Sequence, residues 1–353
     1  MVILIETNQG RIRWIDIAKA IAISLVVFGH TMRGGSVQKV VYSFHVAAFF
    51  FLAGLTCKTN GVRARIKSDF FRIMVPYYCF GIISIAVFAV LGTFAAAKFD
   101  MNINPSFGAN IQNLLYANSK GGALQFNTPL WFLPCLFATK LLYYAIDRAC
   151  SGKTGYVIMV SIILAGASFV YNELKLPYPP FSLTVALKML PLFTLGRVFF
   201  LYAQSAGSCI SSRPVMFGIG VALLSITCVA GFYAPSVNYS GDTFPNGIAF
   251  YTTALLGSIG ICFFSMGIEH NPLLEYIGKN TLPILVMHKF PIVLFQTVGP
   301  LANILTQADT VIGNLCGGVP VTLLSIVMSL TVATIIKRVC PFLIGIRRQK
   351  TNT

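Results

Sequence analysis

The chain has 353 residues, 56% of them hydrophobic and 10% charged, and a mean hydropathy of +0.76, which excludes an ordinary water-soluble domain. Its formal charge of +16 could suggest nucleic acid, but the basic residues sit at the ends of apolar runs rather than in one polar patch. Membrane topology and anionic lipid account for most of them, and no nucleic-acid partner is expected. Strand-length alternation of the outer-membrane barrel kind is missing, so the expected fold class is an all-α integral membrane protein, a polytopic bundle of about ten transmembrane helices.

In chain order, the opening MVILIETNQGRIRW has a short apolar patch without a small-residue cleavage site, and it does not read as a removable signal peptide. Ten apolar runs near the ~20 residues needed to cross a bilayer follow: 14–33, 39–57, 73–96, 129–148, 155–171, 182–203, 215–234, 248–267, 281–301 and 318–338. The break over 97–128 is too short for a soluble domain and reads as an outer loop with a partly ordered segment, a candidate lid. One membrane-embedded domain over 1–353 is therefore expected, its basic tail, 339–353, lying along the inner surface. Lys58, Arg63, Arg65, Lys67 and Arg72 crowd one connection, and Arg148, Lys153, Arg213, Lys279, Lys337 and Arg338 share its side. By the positive-inside rule both termini are cytoplasmic. The nine cysteines form no CxxC pair and fall mostly inside spans, as small core residues.

The first span carries the chemistry. In DIAKAIAISLVVFGH, Asp16, Lys19 and His30 lie in an otherwise apolar run. Lys19 and His30 are eleven residues apart, about three turns or ~16 Å, and close to one azimuth, with Asp16 a turn earlier, so all three are expected on one stripe. Charged groups at membrane depth are costly and face a protein interior or a wet cavity. Read singly, Asp16 and Lys19 are an interfacial ion pair or a snorkelling lysine, and His30 a satisfied buried histidine. At ~21 Å along one helix Asp16 cannot orient His30, whereas Lys19 can hold the phosphates of a long donor whose reactive end reaches His30. The following span, YSFHVAAFFFLAGL, brings His45 to a comparable depth, so that His30 and His45 approach one cavity. Either imidazole can take a proton from a hydroxyl near neutral pH. No third carboxylate or thiolate accompanies them, so no metal is expected.

Later residues are less specific. Trp131, between Pro129 and Pro134, reads first as an interface anchor and second as a sugar platform. His288, two turns into its span, lines the same cavity or bonds a neighbouring helix; Lys140, Lys188 and Arg197 face the cavity or snorkel; His270 reads as surface.

These residues, with their neighbours, resemble the membrane-bound acyltransferase family 3, and more narrowly its fucose 4-O-acetylase-like branch. The likeness rests on Lys19 and His30 in DIAKAIAISLVVFGH, His45 in FHVAAFFFLAG, Arg72 in FRIMVPYY, Trp131 in TPLWFLPCLF and His288 in YIGKNTLPILVMHKFP. The resemblance implies an acyl-CoA donor, usually acetyl-CoA, an essential first-span histidine at His30, and a basic donor site at Lys19 and Arg72. Many members have an arginine three residues before the position of Arg72, where this chain has Asp69; Arg65 or Lys67 is the expected substitute.

The expected function is therefore transfer of an acetyl or other short acyl group from acetyl-CoA to a hydroxyl of a surface-polysaccharide sugar or its lipid-linked glycolipid precursor, in the bacterial inner membrane. His30 acts as general base, or through an acyl-histidine, with His45 binding or orienting a substrate. The rival from another class is a transporter or lipid-linked sugar flippase using Lys19, His30 and His45 as a proton relay. Against it, the sequence shows no convincing pair of broken helices and few acids at membrane depth.

Overall fold

The computed structural model describes residues 12–32, 34–99, 106–118, 120, 124–205, 212–268, 270–297 and 311–346; within these, 91–99, 204–205 and 296–297 are described by backbone alone. Arg11, Arg33, residues 100–105, 119 and 121–123 of the candidate lid, and the tail residues Arg347, Arg348 and Lys350 lie outside the described residues. The regular structure described is helical: α1 (Arg13–Thr31), α2 (Gly35–Tyr42), α3 (His45–Leu55), α4 (Val62–Asp69), α5 (Val75–Phe99), α6 (Phe107–Tyr116), α7 (Phe132–Ala149), α8 (Thr154–Glu173), α9 (Leu183–Ser205), α10 (Arg213–Tyr233), α11 (Gly247–Gly267), α12 (Pro272–Lys279), α13 (Thr281–Met287), α14 (Lys289–Thr297) and α15 (Val311–Val339). Among the described residues nine helical stretches are long and apolar enough to cross a membrane. They correspond to nine of the expected spans. The remaining one, 281–301, is split into α13 and α14 at His288.

Two spans are thus broken, where the sequence suggested none. Pro291 explains one break, because it lacks the N–H that would bond the carbonyl four residues back and its ring clashes with that carbonyl. The other falls at Ser43–Phe44, between α2 and α3, where Phe44 leaves helical geometry (φ −145°, ψ −21°). Its ring sits where a side chain at Gly257 of α11 would have to go, 2.5 Å from the position of an added Cβ. In hydrocarbon a freed backbone group must be answered from within the protein. At the first break Thr253 of α11 places its hydroxyl 3.3 Å from the Ser43 carbonyl; at the second Asn127 donates to the Val286 carbonyl at 3.0 Å.

The first helix is the hub. Trp14, Ile15, Ile17, Ala18, Ala22, Ile23, Val26 and Val27 are all buried, α1 meeting α3, α11, α12, α13 and α15 on its different sides. Its crossing with α12 is backbone on backbone: a Cβ at Gly278 would lie 1.8 Å from the Asp16 carbonyl oxygen. Small residues do the same where α3 crosses α9, since a Cβ at Gly54 would stand 1.9 Å from the Phe193 oxygen and one at Gly196 2.0 Å from the Phe51 oxygen. In lipid such close approach replaces the hydrophobic drive that helices have in water.

Contacts of Asp16 with Gly278, and of Arg72 with Gly345, gather the start of α1, the start of α5 and the end of α15 at one face. The turn Pro341–Ile344 packs there against α5, with Ile344 buried. We call this the basic face, because Arg63, Arg65, Lys67, Arg148, Lys153, Lys279 and Lys337 lie at the helix ends on that side. We predict that Gly196→Ala destabilises the α3–α9 crossing by about 1–3 kcal/mol, the usual cost of overpacking. It should lower the thermal midpoint in detergent, whereas Gly166→Ala on the exposed face of α8, where an added Cβ meets nothing within 4 Å, should leave it unchanged or raise it slightly.

Candidate functional site

A cavity of about 250 Å³ runs through the bundle along α1. On that helix it is lined by Lys19, Ile23, Val26 and His30, residues spaced as one helical stripe. Its long walls are apolar: Val46, Phe49, Leu52 and Ala53 from α3, Phe132, Leu133 and Leu136 from α7, and Leu282 and Leu285 from α13. Polar groups mark its ends. Lys19, Arg72, Thr56 and Thr281 stand toward the basic face; His30 and Trp131 stand at the far end, beside Pro129. A channel of this kind suits a molecule with an anionic head and a slender neutral arm, presented to a nitrogen base.

The sequence-predicted residues divide on this geometry. Lys19, Arg72, His30 and Trp131 share the cavity wall. Trp131 is 6% exposed and belongs to the core rather than to the membrane interface. Arg72 lies in a π-helical turn, Phe70–Met74, inserted before α5; such turns re-aim a side chain and recur at functional sites. Asp16 is buried but outside the cavity wall, since three residues from Lys19 is 300° of rotation, about 60° off the stripe. Arg65 and Lys67 are exposed on α4 and do not line the cavity either. Asp69 takes no part in a clamp of cations. It pairs with Lys140 at 2.5 Å and accepts a hydrogen bond from Tyr144 at 2.8 Å, which ties α4 to α7.

The histidines are arranged differently from the expectation. The ring beside His30 is His288, with centroids 5.2 Å apart, and not His45. His45 is buried one ring farther away, 4.8 Å from Tyr42, which in turn lies 6.5 Å from His30. The break at Ser43–Phe44 accounts for this, because the expectation took 39–57 as one continuous helix, and the break changes the direction in which His45 leaves it. Tyr42 rests on the small face of Gly29, next to His30. On its far side His45 meets Tyr239 of the α10–α11 connection at 6.0 Å. Burial pushes the Tyr239 phenol well up from its ordinary range, so the ring stays protonated.

Both buried histidines are held in one tautomer by one device. Nδ1 of His45 lies 2.6 Å from the Val41 carbonyl and Nδ1 of His288 3.0 Å from the Ile284 carbonyl, in each case four residues back. A carbonyl only accepts, so Nδ1 carries the proton and Nε2 of the neutral ring keeps its lone pair. Nε2 of His288 is buried and has no partner among the described residues. No hydrogen bond to His30 is made by the described residues. His288 does not line the cavity, whose wall holds His30 alone of the histidines; its buried ring stands behind that of His30, and the pair is an arrangement able to accept and return a proton.

Two other cations that the sequence placed within spans, and His270, lie away from the cavity wall. Lys188 is fully buried and neither snorkels nor faces the cavity: it pairs with Asp242 at 2.7 Å under the rings of Phe169 and Phe244. Thr184 donates to the second oxygen of Asp242 at 2.6 Å. Arg197 bonds Tyr143, and His270 is exposed beside Glu275. Among the described residues no group of three or more His, Cys, Asp or Glu side chains is placed to hold a metal. Sequence reasoning missed Tyr42, Tyr239, Asn127 and the Lys188–Asp242 pair. Only Pro291, three residues after His288, advertised the break beforehand.

The family model described as an acyltransferase domain matches residues 12–338. No curated protein and no solved structure matches. Inside the matched stretch the Lys188–Asp242 pair offers a check on the geometry. We predict that Lys188→Met, which leaves the buried carboxylate uncompensated, costs roughly 3–5 kcal/mol and lowers abundance and thermal midpoint. Adding Asp242→Asn should recover part of the loss.

Proposed function

The chain belongs to acyltransferase family 3, and on that premise we propose that it is an O-acetyltransferase of the fucose 4-O-acetylase-like kind. It moves the acetyl group of acetyl-CoA to a hydroxyl of a surface-polysaccharide sugar or its lipid-linked precursor. The basic face is cytoplasmic in this reading, with both termini there and the protein in the bacterial inner membrane. The observation that carries the proposal is a cavity whose wall includes Lys19 and Arg72 at one end and His30 at the other.

Lys19 and Arg72 hold the donor's phosphates by charge-assisted hydrogen bonds. The pantetheine arm lies between the apolar walls of α3, α7 and α13, and its thioester is delivered to His30. The acceptor hydroxyl gives its proton to His30 while its oxygen attacks the thioester carbonyl; the carbon–sulfur bond then breaks and the thiolate takes the proton back. His288 lies close enough to share that proton, and Trp131 forms the wall against which the acceptor sugar is placed. His45 acts from behind the wall, by holding Tyr42 and through it the ring of His30.

We predict that His30→Ala abolishes transfer of labelled acetyl from acetyl-CoA to cell-envelope glycan while CoA still raises the thermal midpoint of the purified protein. Lys19→Met and Arg72→Gln should instead weaken CoA binding about 10-fold or more, the loss expected for one charged hydrogen bond. A wild-type protein that neither binds CoA nor transfers acetyl would leave the transporter reading in its place.

A further inference from the structure

Asn127 is fully buried, in the turn Gln125–Trp131 that precedes α7, and it is the one residue of that turn with non-helical backbone angles (φ −162°, ψ 77°). Its amide spends both N–H donors on other elements, one on the Ser84 hydroxyl of α5 at 3.1 Å and one on the Val286 carbonyl of α13 at 3.0 Å. Its own oxygen, also buried, has no partner among the described residues. Val286 stands two residues before His288. Its carbonyl is one that the helix break leaves for another group to satisfy.

The other break uses the same offsets. His45 bonds the carbonyl four residues back, and Thr253 reaches the carbonyl of Ser43, two residues back, from α11. Each broken helix therefore carries a histidine that bonds its own preceding turn, and a polar side chain from a different element secures the carbonyl between. In the α13–α14 case the secured histidine is the one whose ring lies 5.2 Å from His30.

We propose that Asn127 is a positioning residue for the acetyl transfer, fixing His288 against His30 by holding the Val286 carbonyl across the break. This rests on the transferase reading. The donor site belongs to other elements, α1 and the π turn at Arg72, so the role predicts a separation of effects. A misplacement of about 1 Å at a reacting group can cost on the order of 100-fold in rate while binding elsewhere is kept.

The test compares the full-length chain with Asn127→Asp, which keeps the shape but loses the N–H donors, and with Ser84→Ala, which removes only the other partner. Turnover, CoA affinity and thermal midpoint are measured on each. The inference expects Asn127→Asp to lose roughly 10- to 100-fold in kcat with CoA affinity unchanged, and Ser84→Ala to stay within about threefold of wild type. Should Asn127→Asp not accumulate, Asn127→Gln moves the same amide by about one bond length, ~1.5 Å, and must also lower kcat with CoA affinity kept. Full turnover in either Asn127 variant overturns the inference, as does a loss of kcat, affinity and midpoint in parallel, which marks a residue that merely holds the bundle. A wild-type chain that transfers no acetyl overturns the transferase reading itself, an outcome distinct from an active wild type with unaffected variants.

Discussion

A backbone carbonyl released inside hydrocarbon has no water to turn to, and this bundle is organised around the few places where it releases one. Both helix breaks are answered from neighbouring helices, at Ser43 by Thr253 and at Val286 by Asn127. These bonds tie the start of α3 to α11 and the end of α13 to the turn before α7, next to the cavity that α3, α7 and α13 line. At each break a histidine bonds a carbonyl of its own preceding turn through Nδ1–H, which fixes the ring, and for His288 this leaves Nε2 without a partner among the described residues.

Packing and chemistry are divided along the length of α1. Below the stripe, Asp16 lies against the backbone of Gly278 and anchors the helix to α12. Along the stripe, Lys19, Ile23, Val26 and His30 face the cavity, while Ala18, Ala22 and Val27 close onto other helices. The far side of the molecule is fastened separately. Asp242, in the left-handed region at φ 52°, turns its carboxylate into the bundle to meet Lys188, and Asn238 and Thr243 pair across the same loop. That loop delivers Tyr239 to His45, so the outer connection and the wall behind His30 are one packed unit.

Much of this was legible from residue order. Apolar length located the spans, and helical spacing placed Lys19 and His30 on one wall, because both depend on local geometry alone. The partner of His30 was not legible, since His30 and His288 are brought together by packing between helices far apart in sequence. Reading 39–57 as a straight helix put His45 at the cavity; nothing in YSFHVAAFF announces a break, because its cause is Phe44 lodging against Gly257 of α11. Asp242 was hidden for a similar reason, as a loop acid whose partner lies 54 residues away. The broken helices are a feature that transporters share, but family membership and the polarity of the cavity, cations at one end and His30 at the other, favour transfer over transport.

The central claim is that one cavity carries the donor from the cations to His30. An experimental structure of the protein with a non-hydrolysable acetyl-CoA analogue tests it most directly. The account predicts the analogue's phosphates against Lys19 and Arg72, its arm between Phe49 and Leu136, and its acetyl end within hydrogen-bond reach of His30. An analogue seated at the opposite face, or one lying with its acetyl end away from His30, would contradict it.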